Sequence, residues 1–541
     1  MNAPLKRPHR PFVIAALAAA SALLLAGCAS DPAAPAADAG NDAAGGGILK
    51  VGIGAGATCA DPQQTFNFSA AAIARSVADS LTDQDPKTGE IVPWLATSWE
   101  INDDATQYVF HLRDDVTFSD GTAFDAENVV ANLDYIKGLG ALSSRGAAFM
   151  GNYVGSTAVD EHTVQIDFSS PSAHFLVGTS TLVFSMLSTE TTTKTPEERC
   201  QGDLVGTGPF VMESYVQDQE AQVVKREGYG WASPLAAHEG DAYLDGITFL
   251  FQPVGNVRAG SLTSGQTDVA LVLETQDVAT ITASGAEVMA GTMPGMPGVF
   301  APNLLRDVPA DLAVRQAMNV ALDRDTIVHT VLGEYYDPAY SIITSNLREY
   351  ADYSSELGYD PDGAAEILDD AGWKEGSDGV RTKDGKRLAF SITYTEDYGA
   401  YYTGLLQLVQ QELGEVGMEV TLDNTTQASM IELQQTKDFD FVITTITESD
   451  PDMVRNMLST RVEASVLDSL GLPPLFAAQQ AATDPAERSE IWAQIQEIVF
   501  DNGLAVPLFE GTQLSGVSAN VTGPRYDFKA MITFYDTAFV S

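Results

Sequence analysis

The apolar positions of this chain change period many times along its length. ILKVGIG, from Ile48, reads as a short strand. ITFLFQP, a glycine-bounded helical stretch and TDVALVL then read as strand, helix, strand. In YDPDGAAEILDDAGW, Asp360 suits a helix cap, Pro361 the first helical position and Gly372 the stop. In YYTGLLQLVQQELGEVGMEVTL, Leu405, Leu408, Val409 and Val416 fall on one helical face and Gly417 ends the helix. Met418, Val420 and Leu422 then alternate as a strand. DFVITTIT (440–447) is a further strand. TDPAERSEIWAQIQEIVFDNG is a helix opened near Pro485, with Ile491, Ile495 and Ile498 inward and Gly503 at its close. Strands alternating with helices in this way predict α/β layers. No second linker or internal repeat interrupts them, so the lobes are interwoven rather than strung in a row.

The N-terminal pattern differs. Lys6, Arg7 and Arg10 precede Phe12 to Ala26, which is almost wholly apolar. At about 15 residues the run is short for a bilayer span, which takes ~20. A basic head, a short apolar body and small residues at the end predict a secretory signal over residues 1–27. Leu25-Ala26-Gly27-Cys28 resembles a bacterial lipobox, which implies cleavage before Cys28 and acylation of that residue; several acyl chains make a stable anchor. The alternative is an ordinary signal peptide with a chance cysteine. Residues 28–47 contain no large apolar side chain and read as a flexible tether.

The formal net charge is −45, and the signal segment holds three cationic and no acidic side chains, so the remainder is more acidic still. That excludes phosphate-neutralising contact with nucleic acid and electrostatic attachment to anionic lipid. Such a charge either solvates the surface or favours a cationic cargo. With 45% hydrophobic residues over 541 positions, the chain can bury more than one core. Besides Cys28 it has Cys59 and Cys200. In an exported chain this leftover pair suggests a disulfide, the alternative being two unrelated buried thiols.

Specific catalytic patterns are missing from the sequence. GIGAGAT (52–58) spaces its glycines by one and lacks the dinucleotide fingerprint; it reads as a strand ending in a close-approach loop. Gly379 and Gly385-Lys386 lie one residue too far apart for a P-loop, and Arg387 replaces the required Ser or Thr. DGVRTKDGKRLAF is a hairpin with Asp-Gly turns. The six histidines never pair at i, i+4, there is no G-x-S-x-G, and with 74 acids any carboxylate pair is uninformative. No cofactor is implied.

Six ordered segments resemble the large extracytoplasmic solute-binding proteins of ABC importers, the peptide- and nickel-binding family 5. They are IVPWLATSWEINDDATQYVFHLRDDVTFSDGTAFDAENVV (91–130), VGTGPFVMESY (205–215), LTSGQTDVAL (262–271), VRQAMNVALDRDTIV (314–328), the YDP…AGW helix and DFDFVITTITESDPDMV (438–454). The resemblance implies an α/β, two-lobed periplasmic-binding-protein-like (Venus-flytrap) fold, large type with an extra subdomain in lobe I. Lobe I would take 48–297 and 507–541, with the subdomain at about 86–198, and lobe II 298–506. MPGMPGVFAPN (293–303) and NGLAVPLFEG (502–511) would be the crossings. Cys59 and Cys200 then share a lobe.

The implied function is a lipid-anchored receptor, exported to the outer face of the cell membrane or the periplasm. It would enclose a solute between its lobes and deliver it to an ABC permease with its ATPase subunits, acting as a monomer without nucleic acid. A peptide is the leading cargo; a cationic metabolite, a sugar or a nickel complex is the rival, and an exported lipoprotein hydrolase the rival from another class. By resemblance, ligand contacts are expected at Ala57, Thr58, Glu396, Tyr398, Ile446, Thr447, Glu448 and Phe509. Dipeptide-binding members place an Asp four residues before the proline of the late D-P motif; here Pro451 gives Thr447, followed by Glu448. Their Arg near a Tyr falls on Glu396 and Tyr398. These departures point to a longer peptide held by its backbone, or to a cationic or neutral solute. Glu396, Asp397 and Glu448 would then face a positive group, unless they are ordinary loop acids.

Overall fold

A computed structural model describes residues 43–54, 59–65, 67–396 and 399–540. Cys28, the signal segment, most of the tether, Ala57, Thr58 and Tyr398 lie outside the described residues. Among those described, no helix is long and apolar enough to cross a membrane.

Two mixed sheets dominate. In the first, of seven strands, Ile48–Ile53 lies between Gly246–Phe251 and Val269–Leu271 and runs parallel to both. Glu220–Lys225 and Phe210–Val216 extend one side, Thr512–Val517 and Glu287–Thr292 the other, all antiparallel. Leu49, Val51 and Ile53 alternate onto a core that also holds Phe249 and Ile73 of helix Phe68–Val77. The second sheet has the order Glu419–Asn424, Ala389–Tyr394, Phe441–Thr447, Gly295–Pro302, Val506–Phe509. Gly295–Pro302 is buried at every position because helices cover both faces. Phe300 faces the core of helix Tyr401–Glu415, while its neighbour Val299 faces that of helix Pro485–Asp501. These sheets are the centres of lobes I and II.

A separate four-stranded antiparallel sheet, Ala96–Ile101, Gln107–Leu112, Thr163–Phe168 and Tyr153–Asp160, carries helix Ala126–Leu139. Tyr108, Phe110, Val164, Ile166 and Phe168 point to one face and build its own core.

Gly295–Pro302 pairs from its first residue with Thr447, and Val506–Phe509 pairs with 298–300, so the five-stranded sheet holds residues on both sides of 298 and 506. The chain passes between the two sheets at Met293–Pro294 and Glu510–Gly511. The tether is shorter than expected. Ala43–Ala44 pairs with Phe539–Val540, and Gly46 and Gly47 donate to Tyr243 O (2.7 Å) and Asp245 Oδ2 (2.8 Å). Both glycines have positive φ, and a Cβ on Gly47 would stand 2.8 Å from the Phe539 ring. Small residues in a flexible composition here serve a close packing contact.

Cys59 and Cys200 form a disulfide. Beside it Arg199 donates to Asp61 Oδ1 at 2.8 Å and Gln63 Oε1 at 2.7 Å, all fully buried, and lies over the Tyr135 ring. The loop after the first strand is thus fastened to the short helix Pro196–Cys200.

Candidate functional site

The two passages between the sheets lie side by side. Met293 N donates to Gly511 O at 2.8 Å, joining them. Gly295 follows at φ +129°, where a Cβ would fall 2.1 Å from Ile446 O, so only glycine fits. Gly295 and Thr344 exchange two hydrogen bonds, and Asn346 Nδ2 donates to Thr292 O. On the second passage the Glu510 carboxylate accepts from Ser345 N and Ser345 Oγ, both at 2.8 Å. Burial pushes Glu510 up to about 7, against the lowering by those two donors, and nearby Asp337 adds to the rise. The two passages are thus held side by side by backbone and side-chain hydrogen bonds.

A cleft with about 680 Å³ of open space lies beside these passages. Its walls come from lobe I (Gln84, Ile91, Phe528), from the four-stranded subdomain (Tyr108, Leu176) and from lobe II (Leu347, Arg348, Asp450, Arg488). Arg488 forks onto Asp450 at 2.7 and 2.8 Å, donates to Gln479 Oε1 at 2.9 Å, and stands 3.5 Å from Glu349. Burial alone would lower the Arg488 pKa; Asp450 and Glu349 outweigh it, so the guanidinium stays charged. Burial raises Glu349, and Ser449 Oγ is buried without a hydrogen-bond partner. The cleft therefore presents a charged floor between apolar walls.

The lobes meet across the gap. Ala173 N of the subdomain donates to Gln480 O of lobe II at 2.9 Å. Glu448 of lobe II receives Lys529 Nζ on Oε1 and Arg145 Nη1 on Oε2, each at 2.9 Å. Lys529 sits on the C-terminal tail, and Arg145 on helix Ser144–Phe149 of the subdomain. Burial pushes the Glu448 carboxyl up, but the two cations outweigh it and hold it below the usual carboxylate range.

The expected contact residues separate into groups. Ile446, Thr447 and Glu448 come to the passages: Ile446 pairs with Met296, Thr447 with Gly295, and Thr447 Oγ1 lies 3.8 Å from Met293 Sδ. Glu448 does not await a cation, because both its oxygens are already engaged by lobe I. Glu396 is exposed and accepts from Thr403 Oγ1 at 2.6 Å at the start of helix Tyr401–Glu415. Phe509 is 1% exposed, edge-on to Tyr401 and Tyr402, in the core of lobe II. Periodicity missed Arg145, Asp450, Arg488, Phe528 and Lys529. Lys529 carried one signal, being the only lysine after Lys437 in an acidic chain.

A protein-family model described as "Bacterial extracellular solute-binding proteins, family 5 Middle" matches residues 90–464. Among curated proteins, the glutathione-binding protein GsiB of Salmonella paratyphi A is 25% identical over 495 residues, covering 87% of this chain and 91% of its own. Among solved structures, NikA from Brucella suis in complex with Fe(III)-EDTA superposes with a TM-score of 0.77 at 23% identity, covering 91% of this chain and 99% of that one. The oligopeptide-binding protein AppA from Bacillus subtilis in complex with a nonapeptide gives 0.70 at 20% identity, covering 92% and 100%.

Proposed function

Because the chain belongs to family 5 of the bacterial extracellular solute-binding proteins, we propose that its interlobe cleft captures a short peptide through a free carboxylate. The importer role is common to the family: the protein is the receptor that hands its solute to an ABC permease. The observation that carries the ligand reading is one cation of lobe II. Arg348 stands exposed in the wall of the cleft itself, and a carboxylate of the solute is the group that complements such a cation. The name of GsiB, a glutathione binder, supports the same class.

Capture works by population shift. A solute touching both lobes favours the closed arrangement in which Glu448 reaches its cations, and the permease reads that arrangement. Acylation of Cys28 keeps the receptor at the membrane; the lipobox pattern supports this, and the mass of the mature N-terminus tests it.

The test of the ligand class is thermal unfolding with matched tripeptides as free acids and C-terminal amides. A ligand at 100 times its Kd adds ~2.7 kcal/mol of stability. Free acids are expected to raise Tm and amides to fail. Amides, sugars or amines acting where acids do not would overturn the reading.

A further inference from the structure

Lobe I contains a second cavity, with about 670 Å³ of open space, formed wholly by its own elements. The end of helix Phe68–Val77, the segments around Asp83 and Tyr229, and the C-terminal tail enclose it. We propose that this cavity is a second binding site, for a small organic cation: an ammonium group on an apolar body.

Three carboxylates line it, those of Asp79, Asp83 and Asp527. Asp79 is 1% exposed; its Oδ2 lies 3.2 Å from the donor Trp231 Nε1, while its Oδ1 has no hydrogen-bond partner. A buried carboxylate oxygen left open in this way is costly, and a ligand donor removes the cost. Two arginines, Arg75 and Arg525, share the lining with these carboxylates. Arg75 donates to Ser80 Oγ and Ser180 O and lies over the Trp94 ring; Arg525 stands 3.1 Å from Asp536. Burial raises the Asp79 carboxyl to about 7, against the lowering by Arg75, Trp231 and Thr207, so a further donor at the open oxygen would be favoured. Five aromatic side chains, Trp94, Phe210, Tyr229, Phe534 and Tyr535, stand in the same lining. Aromatic faces accept the apolar body and attract the cationic head.

The site is distinct from the interlobe cleft but adjoins it. Asp527 lines this cavity, Phe528 the cleft, and Lys529 clasps Glu448; Gln84 lines both. An amine that bound through Glu448 would therefore be a different result, and the experiment separates the two.

Calorimetry on the mature full chain with n-butylammonium, and with n-butanol as the neutral match, tests the proposal. Butylammonium is expected to bind and butanol to be silent. Asp79→Asn should weaken the amine roughly tenfold or more, the loss of a charge-assisted contact. Ala236→Trp, which fills the cavity wall, should do the same even if Asp79→Asn folds poorly. Glu448→Gln should leave the affinity unchanged. No binding, equal binding of butanol, unchanged affinity in both cavity variants, or loss of binding in Glu448→Gln would each overturn it.

Discussion

Glu448 and Lys529 meet at 2.9 Å although one belongs to the five-stranded lobe and the other to the tail packed on the seven-stranded lobe. Arg145 completes the clasp from the subdomain. The contact exists only when the lobes are together, so its loss acts on closure before it acts on folding.

Glu448→Gln should therefore expand the ligand-free protein in solution scattering. Breaking a permanently buried pair costs ~3–5 kcal/mol; here opening rehydrates Lys529 and Arg145, so the loss in folding stability should be nearer 1–2 kcal/mol. The Glu448 pKa is lowered in the closed form, so closure is favoured above the ordinary carboxylate range and fades as pH falls through the lowered value. Wild type should stay compact through the ordinary carboxylate range and expand only below it, while the variant lacks that transition. Identical scattering of the two at neutral pH would refute the clasp.

Glu510 works with the opposite sign. Its pKa rises from 4.5 to about 7 on folding, so its contribution is full below 4.5 and is lost as pH rises through about 7. Glu510→Gln keeps an acceptor for Ser345 and never ionises. It should match wild type at pH 4.5 and exceed it by roughly 1–3 kcal/mol at pH 8. Denaturant melts at the two pH values measure the difference.

The disulfide spans a sequence separation of 141 residues within lobe I. A loop of that length gives about 5 kcal/mol in the chain-entropy account. Reduction, or the double Cys59→Ser, Cys200→Ser variant, should lower Tm markedly. Solute affinity measured well below the melt should stay within a few-fold, because the bridge does not connect the lobes.

Phe509→Ala should behave as a core deletion, costing about 3–5 kcal/mol. The ring fills the space over Gly298, where an added Cβ would stand 2.3 Å from it. A solute affinity that collapses while the urea midpoint holds would show instead that Phe509 acts through the ligand.

The elements themselves were largely legible. Asp360 does cap Pro361–Asp370, accepting from Gly363 N. Asp384 and Gly385 both have positive φ in the Asp-Gly hairpin turn. Of the residues expected inward on Pro485–Asp501, Ile495 is buried and Ile491 and Ile498 pack on the edge of the same core. Trp492, Ile495 and Val499 are buried, whereas Ile491 and Ile498 are only half-buried. Both stripes are apolar, so periodicity could not choose; the helix turns so that Arg488 meets Asp450. For Asp323 and Asp325 the sequence suggests helix capping and a pair with Arg324 or Arg315, and the structure bears out the capping. Asp323 caps its helix, while Arg324 and Arg315 bind backbone carbonyls at Pro507, Asn319 and Asn502.

The sequence by itself determined the strands and helices, because period, caps and turns are set by residues a few positions apart, and the resemblance of six ordered segments carried the two-lobed class and the family. Only the tertiary structure decided which charges face one another. Glu448 lies 303 positions from Arg145 and 81 from Lys529. Their meeting depends on where two short passages let the lobes swing, and no local pattern encodes a distance across open space.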